Sequence, residues 1–407
     1  MPKAQTSSVR LLMLAVVLML GLHPTAMYLY LPVLPALQSM LDVNAAQVQA
    51  TLSAAIVSFG VGQILWGPLA DRYGRRPIML AGVSMYTLAG LCMTGTHTLA
   101  IFMGCRIAQG LGVAAAGVAC RAMLRDIYAL HDRAQQLSRA FSWLGVISLI
   151  GPPLGALSYE HAGLYLTLAL MVAYGAATWL VILLYVQETR PIADALIPPF
   201  FGTAYAGMLK HPLFLRYTGL TAGSYIGHYL FLAGSSYTLI ARLGMTPFDY
   251  GLVLALGSMV HMGGTFHCRY WLRRHDVRGT LARAAALTLA GGVGIALFYL
   301  CGLHAVWAIV LPQCLYVYGH AVHQSCGQAA VNESFPDQAA SASALSGLLV
   351  AMPAAAIGLA LAPGMAHSDL PLVVGMAACG VFIALIAWRP WQLYRQLGMT
   401  ISQRTVT

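Results

Sequence analysis

Apolar runs of about 20 residues follow one another along almost the whole chain, with short charged turns between them. Of the 407 residues, 59% are hydrophobic and only 8% are charged, whereas soluble proteins carry about 25% charged residues. A run of this length is what an α-helix needs to cross the hydrocarbon core of a bilayer. The sequence therefore predicts an all-α, multi-pass protein embedded in a lipid bilayer. We expect that bilayer to be the cell inner (cytoplasmic) membrane.

The lengths of the runs and the charges beside them place twelve transmembrane helices in the chain. We divide the sequence into a six-span half over 1–187, a cytoplasmic central loop over 188–215, a second six-span half over 216–388 and a cytoplasmic tail over 389–407. The predicted spans are 11–34, 47–69, 77–95, 99–120, 139–158, 164–187, 216–241, 247–270, 281–300, 305–331, 342–363 and 371–388.

Basic residues cluster on alternate turns, and this pattern predicts the orientation of the chain. If both termini are cytoplasmic, all but two of the 22 Lys and Arg residues fall on or beside the cytoplasmic side, as the positive-inside rule requires. The two exceptions are Arg242, in an outer loop, and Arg106, inside the fourth span. The net charge of +10 is spread over short clusters, so it indicates topology and contact with anionic lipid, and we expect no nucleic acid partner.

The turn after the second span combines arginines, glycines and an aspartate in a chain that is otherwise almost free of charge. Asp71 can accept hydrogen bonds from the amides that begin the next helix or from a neighbouring arginine. Gly67 and Gly74 would allow two helices and a tight turn to approach closely. An ordinary stop-transfer loop would explain the arginines but not the spacing of the glycines and the aspartate. The segment reads GPLADRYGRRP from Gly67 to Pro77, and its arginines are Arg72, Arg75 and Arg76.

Arg106 lies inside the fourth predicted span, three residues before Gln109. A charged side chain within the bilayer costs several kcal/mol unless it is paired or solvated, so we expect Arg106 to face the interior of the helical bundle. Two roles are open to it. It is either a structural arginine bonded to carbonyl groups or a group that binds substrate or takes part in proton coupling.

The fifth predicted span contains the segment GPPLGA, which begins at Gly151. Gly151 and Gly155 allow close helix packing, while Pro152 removes a backbone donor and bends the helix. The segment is either a kinked seam that seals one side of a cavity or a site of close packing alone.

These three segments resemble sequence motifs of the major facilitator superfamily. The turn around Asp71 is similar to the pattern G-x-L-x-D-R-x-G-R-[RK]-x between spans 2 and 3 of that superfamily. Arg106 begins a segment similar to R-x-x-Q-G-x-G, and Gly151 begins one similar to the antiporter motif G-P-x-x-G-[GA]. The resemblance implies a fold of two six-helix halves, with a substrate cavity between them at mid-membrane.

Within the superfamily, the first half of the chain resembles the bicyclomycin-resistance group of twelve-span drug:proton antiporters. This resemblance is carried by the Y-L-P step that begins at Tyr30, by the segment from Ala119 to Asp126 at the end of span 4, and by Glu188 and Thr189 at the end of span 6. It implies export of a small organic molecule, such as a drug, a siderophore or another metabolite, by proton antiport and alternating access. We expect no cofactor and a monomeric chain.

One departure from that group concerns a missing acid. The group commonly has an aspartate two residues before the Y-L-P step, where this chain has Tyr28. All 12 acidic residues fall at or beyond the predicted span ends, so we expect no carboxylate at mid-membrane. This disfavours a cationic drug, whose exporter would need such a carboxylate as a counter-charge and proton carrier.

Histidines take the place of carboxylates at mid-membrane. A histidine titrates near neutral pH and can carry a proton, although a hydrogen-bonded interior histidine is the commoner case for any single one. Tyrosines beside them offer hydroxyl groups and ring faces, so the lining would suit a polar or anionic substrate. The residues predicted to bind substrate or protons are His23, Tyr28, Tyr30, Arg106, Gln109, Tyr225, His228, Tyr229, His261, Tyr316 and His320.

Two other functions remain open at this point. A proton-coupled symporter that imports a small polar nutrient would share the fold, although the span 5 segment argues against it. A receptor or a polytopic enzyme would need an added soluble domain or a catalytic constellation; we find no catalytic motif and predict no enzyme and no metal site. The 8 cysteines form no C-x-x-C pair, and we interpret them as small packing residues without a disulfide or zinc role.

Overall fold

The structure is a computed structural model that describes residues 3–128, 130–189, 201–335 and 339–389. Nearly all of these residues are helical, which confirms the all-α prediction. Two predicted regions lie partly outside the described residues. They are the central loop over 190–200 and the tail from 390 onward.

The first helix of the chain ends at Tyr28, inside the first predicted span. Pro32 and Pro35 follow Tyr28, and prolines lack the amide that would continue the helical ladder. A 3-10 turn over Leu31–Val33 therefore separates two helices. The helices of this half are α1 (Lys3–Tyr28), α2 (Leu34–Leu41), α3 (Ala45–Tyr73), α4 (Arg75–Thr94), α5 (Leu99–Ile127) and α6 (Leu130–Tyr185).

Helix α6 contains both the fifth and the sixth predicted spans. Its non-helical dihedral angles occur at Ala162 (φ −143, ψ 21) and at Gly163 (φ 69, ψ −170). The positive φ of Gly163 is a conformation that glycine adopts without steric cost. The break therefore falls between the two predicted spans. The bend that we expected at Pro152 and Pro153 is not accompanied by non-helical angles there.

The second half begins inside the connection that we predicted as a loop. Its first helix occupies a stretch free of proline, between Pro199 and Pro212, so no missing amide prevents helix formation. A π-helical stretch over Tyr237–Arg242 ends the second helix of this half. The helices are α7 (Phe201–Leu209), α8 (Pro212–Ser236), α9 (Pro247–Arg274), α10 (Val277–Leu300), α11 (Val306–Ser334), α12 (Ala339–His367) and α13 (Leu370–Trp388).

Eight segments of the described chain are long and apolar enough to cross a membrane. One of them, Trp143–Tyr185, has 43 residues and includes the break in α6, so it contains two crossing arms. Helices α8, α9 and α11 have 25, 28 and 29 residues, which is long enough to cross a membrane. They are not among the eight segments because their polar residues lower their mean hydropathy. With these three helices the layout agrees with twelve spans, while the side on which the termini lie stays a prediction.

The chain divides into two compact units. The first comprises the chain up to Pro199 together with Ser236–Ser258, and the second comprises Phe200–Ser235 together with the chain from Met259. In the first unit α4 packs against α5 and α6, and in the second α10 packs against α11 and α13. The third spans of the two halves thus hold corresponding positions, as expected for a repeated six-helix arrangement.

Glycines of the Arg106 segment determine how closely α5 packs against its neighbours. A Cβ atom added at Gly110 would lie 2.3 Å from the carbonyl oxygen of Ala55 in α3. A Cβ atom added at Gly112 would lie 2.4 Å from the carbonyl oxygen of Gly82 in α4. Close backbone packing of this kind is typical of small residues in membrane helices. It holds the part of α5 that carries Arg106 against α3 and α4.

The charged segment over 67–77 is mostly helical and not a loop. Helix α3 continues to Tyr73 and α4 begins at Arg75, so only Gly74 separates them. Gly74 has a φ of 97, which reverses the chain within one residue. At Gly67 the expected close approach is absent, because an added Cβ atom would meet no described atom within 4 Å.

Candidate functional site

Arg75 joins two carboxylates at one end of α3, α4 and α5. Its Nη1 atom donates to Asp71 Oδ1 at 2.6 Å, and its Nε atom donates to Asp126 Oδ2 at 3.0 Å. The Arg75 side chain is only 3% exposed. A buried guanidinium needs such charge-assisted hydrogen bonds, and here they hold three helix ends together. Of the two partners that the sequence left open for Asp71, the structure shows the neighbouring arginine.

Glu188 takes the other predicted role and caps the first turn of α4. Its two carboxylate oxygens accept hydrogen bonds from the amides of Arg75 at 2.9 Å and Arg76 at 3.0 Å. A carboxylate at a helix N-terminus satisfies free amides and is stabilised by the helix dipole. A Cβ atom added at Gly74 would lie 2.5 Å from Glu188 Oε2, so this contact requires glycine. Of the remaining arginines, Arg76 also donates to the Leu183 carbonyl, and Arg72 lies over the Tyr73 ring.

Arg106 is fully buried in the first unit, as predicted from its position in the sequence. Its guanidinium carbon lies 3.4 Å from the centroid of the Tyr30 ring, a cation–π geometry. Its Nη1 atom donates to the carbonyl of Ala26 at 3.3 Å and to Gln109 Oε1 at 3.1 Å. The Tyr30 hydroxyl in turn shares a hydrogen bond of 2.6 Å with Thr51 Oγ1. Three predicted residues therefore form one site.

The Arg106 site leaves hydrogen-bonding capacity unused. Within the described residues, Nε and Nη2 of Arg106 and Nε2 of Gln109 are buried without a hydrogen-bond partner. All three atoms are donors, and no described carboxylate bonds to Arg106 to balance its charge. A buried cation of this kind is costly unless an anion or water completes its shell. The site therefore has buried donors that an anionic or strongly hydrogen-bonding group would satisfy, and its role in binding stays a prediction.

Two other predicted residues of the first unit lie in separate contacts. His23 stacks on Phe59, with ring centroids 4.7 Å apart. Tyr28 packs against Gly151, where an added Cβ atom would lie 3.1 Å from Tyr28 Cβ. None of the described contacts joins either residue to Arg106, so the structure does not bring them into that site.

The span 5 segment packs tightly against two other parts of the first unit. A Cβ atom added at Gly155 would lie 2.4 Å from the Leu29 carbonyl oxygen. A Cβ atom added at Gly251 of α9 would lie 3.0 Å from the carbonyl oxygen of Pro152. Glu160 Oε1 also accepts a hydrogen bond of 3.2 Å from the amide of Phe248. The structure thus shows close packing along the span 5 segment. That the segment closes one side of a substrate cavity stays a prediction.

Three predicted histidines of α8, α9 and α11 come together in the second unit, and we call His228, His261 and His320 the histidine cluster. The His228 and His320 rings stack with centroids 4.9 Å apart, and the His261 ring lies 5.6 Å from His320. Their sequence positions are far apart, so the fold creates this cluster. An imidazole can hold a proton near neutral pH, and the three rings are close enough for a proton on one to disfavour a proton on the next.

Two polar residues that sequence reasoning missed hold the cluster in place. Ser224 Oγ lies 3.0 Å from His320 Nδ1, and Gln324 Oε1 lies 3.1 Å from His261 Nε2. Both could have been found from helical spacing, because Ser224 and Gln324 each lie four residues from a cluster histidine on the same helix. Within the described residues, Nδ1 of His228 is buried without a partner.

The predicted tyrosines surround the cluster in different ways. Tyr225 lies 6.2 Å from the His320 ring and stacks with Tyr229 at 6.5 Å. Tyr316 is fully buried, and its hydroxyl donates to the Gly223 carbonyl at 3.2 Å, so it links α11 to α8. In the part of the chain that the structure describes, no group of three or more metal-ligating side chains is arranged to hold a metal ion.

Acidic side chains lie near helix ends wherever the structure describes their backbone. Asp276 accepts a hydrogen bond from the Gly279 amide as the N-cap of α10, and Asp369 precedes α13. Asp249 lies in the first turn of α9. This placement agrees with the expectation that no carboxylate lies at mid-membrane. Among the predicted candidates, imidazole is the side chain that ordinarily exchanges a proton near neutral pH.

Comparison with known proteins identifies the family that the sequence motifs indicated. The family model of the Major Facilitator Superfamily matches residues 16–359. Multidrug resistance protein D of Escherichia coli is 26% identical over 391 residues, which cover 93% of this chain and 95% of the relative. A bicyclomycin resistance protein homolog of Haemophilus influenzae is 25% identical over 373 residues, which cover 90% of this chain and 92% of the relative.

Similarity to a solved structure confirms the fold. A bacterial homolog of the human lysosomal transporter Spinster aligns with a TM-score of 0.70 and 13% sequence identity. The alignment covers 92% of this chain and 95% of that chain. At this identity the likeness concerns the arrangement of helices alone.

Proposed function

The chain belongs to the major facilitator superfamily and is a multi-pass membrane transporter, and we propose that it exports a small polar or anionic organic molecule in exchange for protons. Its relatives include proteins named for resistance to multiple drugs and to bicyclomycin. The span 5 segment, which resembles the antiporter motif, supports the same direction of transport. The membrane is the inner membrane, with both termini in the cytoplasm.

The observation that carries the proton part of the proposal is the histidine cluster. An antiporter needs a group that takes up a proton from one side and releases it to the other, and this group must lie within the bilayer. The described carboxylates lie near helix ends or beside the break in α6, whereas His228, His261 and His320 lie within long helices, and the His320 ring contacts the other two. Because neighbouring imidazoles disfavour double protonation, the cluster would carry one proton at a time.

The observation that supports an anionic or hydrogen-bonding substrate is Arg106. Its guanidinium keeps two nitrogen atoms without a described hydrogen-bond partner, and Gln109 adds a third donor beside them. A carboxylate or a similar planar acidic group would fit the fork of an arginine with two parallel hydrogen bonds. A lipophilic cation would instead be repelled by the positive charge of Arg106.

Export is tested by expressing the chain in a drug-sensitive bacterial host and measuring growth against a panel of compounds. The panel contains bicyclomycin, siderophores, acidic aromatic compounds and lipophilic cations, and cells with an empty vector are the control. We expect resistance to polar or acidic members, with loss of this resistance when a protonophore collapses the proton gradient. Resistance confined to lipophilic cations, or enhanced uptake of the active compound, would contradict the proposal.

A further inference from the structure

Two buried thiols face each other in the second unit. The Sγ atoms of Cys268 in α9 and Cys326 in α11 are 3.0 Å apart. Both cysteines are free, and they are 2% and 3% exposed. Because 58 positions separate them in the sequence, no short motif indicates the pair. The interpretation of the cysteines as packing residues without a disulfide role did not anticipate this contact.

This contact is short enough for the two sulfur atoms to react with each other. A disulfide bond is about 2.05 Å long, so the atoms need to approach by about 1 Å. Hydrogen peroxide, a small neutral oxidant, supplies the chemistry. The first thiolate attacks one peroxide oxygen, giving a sulfenic acid and hydroxide, which leaves as water. The second thiol displaces the sulfenic oxygen as a second water, so two thiols and one peroxide give one disulfide and two water molecules.

The disulfide would join α9 to α11, two helices that are already linked by a hydrogen bond of His261, a member of the histidine cluster. On α9, His261 and Cys268 are seven residues apart and therefore lie on the same face. His261 bonds to Gln324 of α11, and Gly264 between them packs on the Tyr318 backbone of that helix. A covalent link at Cys268 would fix the register of α9 against α11 close to the proposed proton site.

The pair also lies near a defined side of the membrane. Cys268 precedes the end of α9 at Arg274 by six residues, which is about 9 Å along a helix. This end carries Arg269, Arg273 and Arg274 and is predicted to be cytoplasmic. Cytoplasmic thiols are normally kept reduced. The bond would therefore form under oxidant stress and be reversed by exchange with cellular thiols.

We propose that Cys268 and Cys326 are a redox modification site, in which peroxide joins the two thiols as a disulfide that ties α9 to α11 and arrests transport. The pair is not needed for transport in its reduced form, since neither thiol belongs to the Arg106 site or the histidine cluster.

The chemical part is tested on a full-length variant in which the other six cysteines are replaced by alanine. The purified protein is treated with hydrogen peroxide, denatured and labelled with a maleimide that adds mass to each free thiol. We expect loss of both labels, recovery of both with dithiothreitol, and a cross-linked peptide containing Cys268 and Cys326. A matched variant that keeps only Cys120 and Cys379 should retain both labels. Retention of both thiols by the Cys268–Cys326 variant, or oxidation to sulfinic acid without a cross-link, would overturn the proposal.

The functional part uses membrane vesicles and the compound found in the resistance screen. Peroxide should reduce export by the wild-type chain to the level of vesicles without the protein, and dithiothreitol should restore it. Cys268→Ala and Cys326→Ala should export at the untreated wild-type rate and resist peroxide. Full export by protein shown to carry the disulfide would refute the arrest. The thiol measurement needs no substrate, so failure of the proposed function and failure of this inference give different results.

Discussion

Arg75 and Arg106 are both buried in the first unit, but their surroundings differ. Arg75 is 3% exposed and bonds to the carboxylates of Asp71 and Asp126. Arg106 is 0% exposed, lies on the Tyr30 ring and bonds only to neutral oxygen atoms among the described residues. The chain itself therefore completes the shell of Arg75, whereas the shell of Arg106 can be completed by a ligand.

On the function proposed above, this difference separates a structural role for Arg75 from a binding role for Arg106. A guanidinium that is held by two carboxylates and sits beside the capped end of α4 stabilises one arrangement of helix ends. A guanidinium with unused donors gains most when an acidic group arrives, since the cost of its burial has already been met by the fold. The two sites should respond differently to conservative substitutions, and this response gives three predictions.

The largest effect is expected at Arg106. Arg106→Ala should abolish export, and Arg106→Lys should also fail, because lysine keeps the charge but lacks the planar fork that binds an acidic group with two hydrogen bonds. Export of the screened compound in vesicles is the measurement, with protein amount checked by immunoblot. Lys210→Ala, a change to an exposed basic residue outside the Arg106 site and the charged turn, is the control and should retain export. Full activity of Arg106→Lys would show that a point charge suffices.

A smaller effect is expected at Asp71. Asp71→Asn should leave membrane insertion intact, because the arginines that set the topology remain. It should slow export about tenfold. The Arg75–Asp71 ion pair is partly buried, so its loss should cost more than the loss of an exposed pair, about 1 kcal/mol, and less than that of a fully buried pair, about 3–5 kcal/mol. The export rate per molecule of inserted protein is the measurement. Wild-type export by a well-expressed Asp71→Asn protein would contradict a role for the Arg75 pairs in the cycle.

The smallest effect is expected at Glu188. Glu188→Gln keeps an acceptor oxygen for the amides of Arg75 and Arg76 but removes the negative charge that the helix N-terminus favours, a contribution of about 0.3–1 kcal/mol. Export should fall by a factor of about two to five. Kinetic comparison of Glu188→Gln with Asp71→Asn provides the check. A larger loss in Glu188→Gln than in Asp71→Asn would mean that the cap, and not the Arg75 pairs, dominates this cluster.

The helices and the depth of Arg106 could be predicted from sequence, because span length and the cost of buried charge act locally. The partners could not all be predicted in this way. Arg75 meets Asp126 across 51 positions of sequence and Glu188 across 113, and local patterns carry no information on such pairings. The cluster of His228, His261 and His320 likewise depends on how three helices pack, and so does the thiol pair.

Helical extent was underestimated for a related reason. The charged residues between Arg72 and Arg76 suggested a turn, yet apart from Gly74 this stretch continues the helices. Asp71 accepts from the Arg75 guanidinium, and Glu188 accepts from the backbone amides that begin α4. The connection over 188–215 was predicted as a loop, yet α7 occupies the stretch between Pro199 and Pro212. In both cases a tertiary contact or a short proline-free window outweighed the local signal.

The central claim is that the histidine cluster couples proton movement to export, and the pH dependence of export tests it most directly. Export of the screened compound is measured in vesicles over a range of external pH for the wild type, His228→Gln, His261→Gln and, as a comparison outside the cluster, His23→Gln. Glutamine keeps hydrogen bonding but cannot titrate. We predict that wild-type export strengthens as the outside becomes more acidic, and that His228→Gln or His261→Gln loses this dependence while substrate binding is retained. If these two variants and His320→Gln all keep the wild-type pH profile, the histidine cluster does not carry the proton.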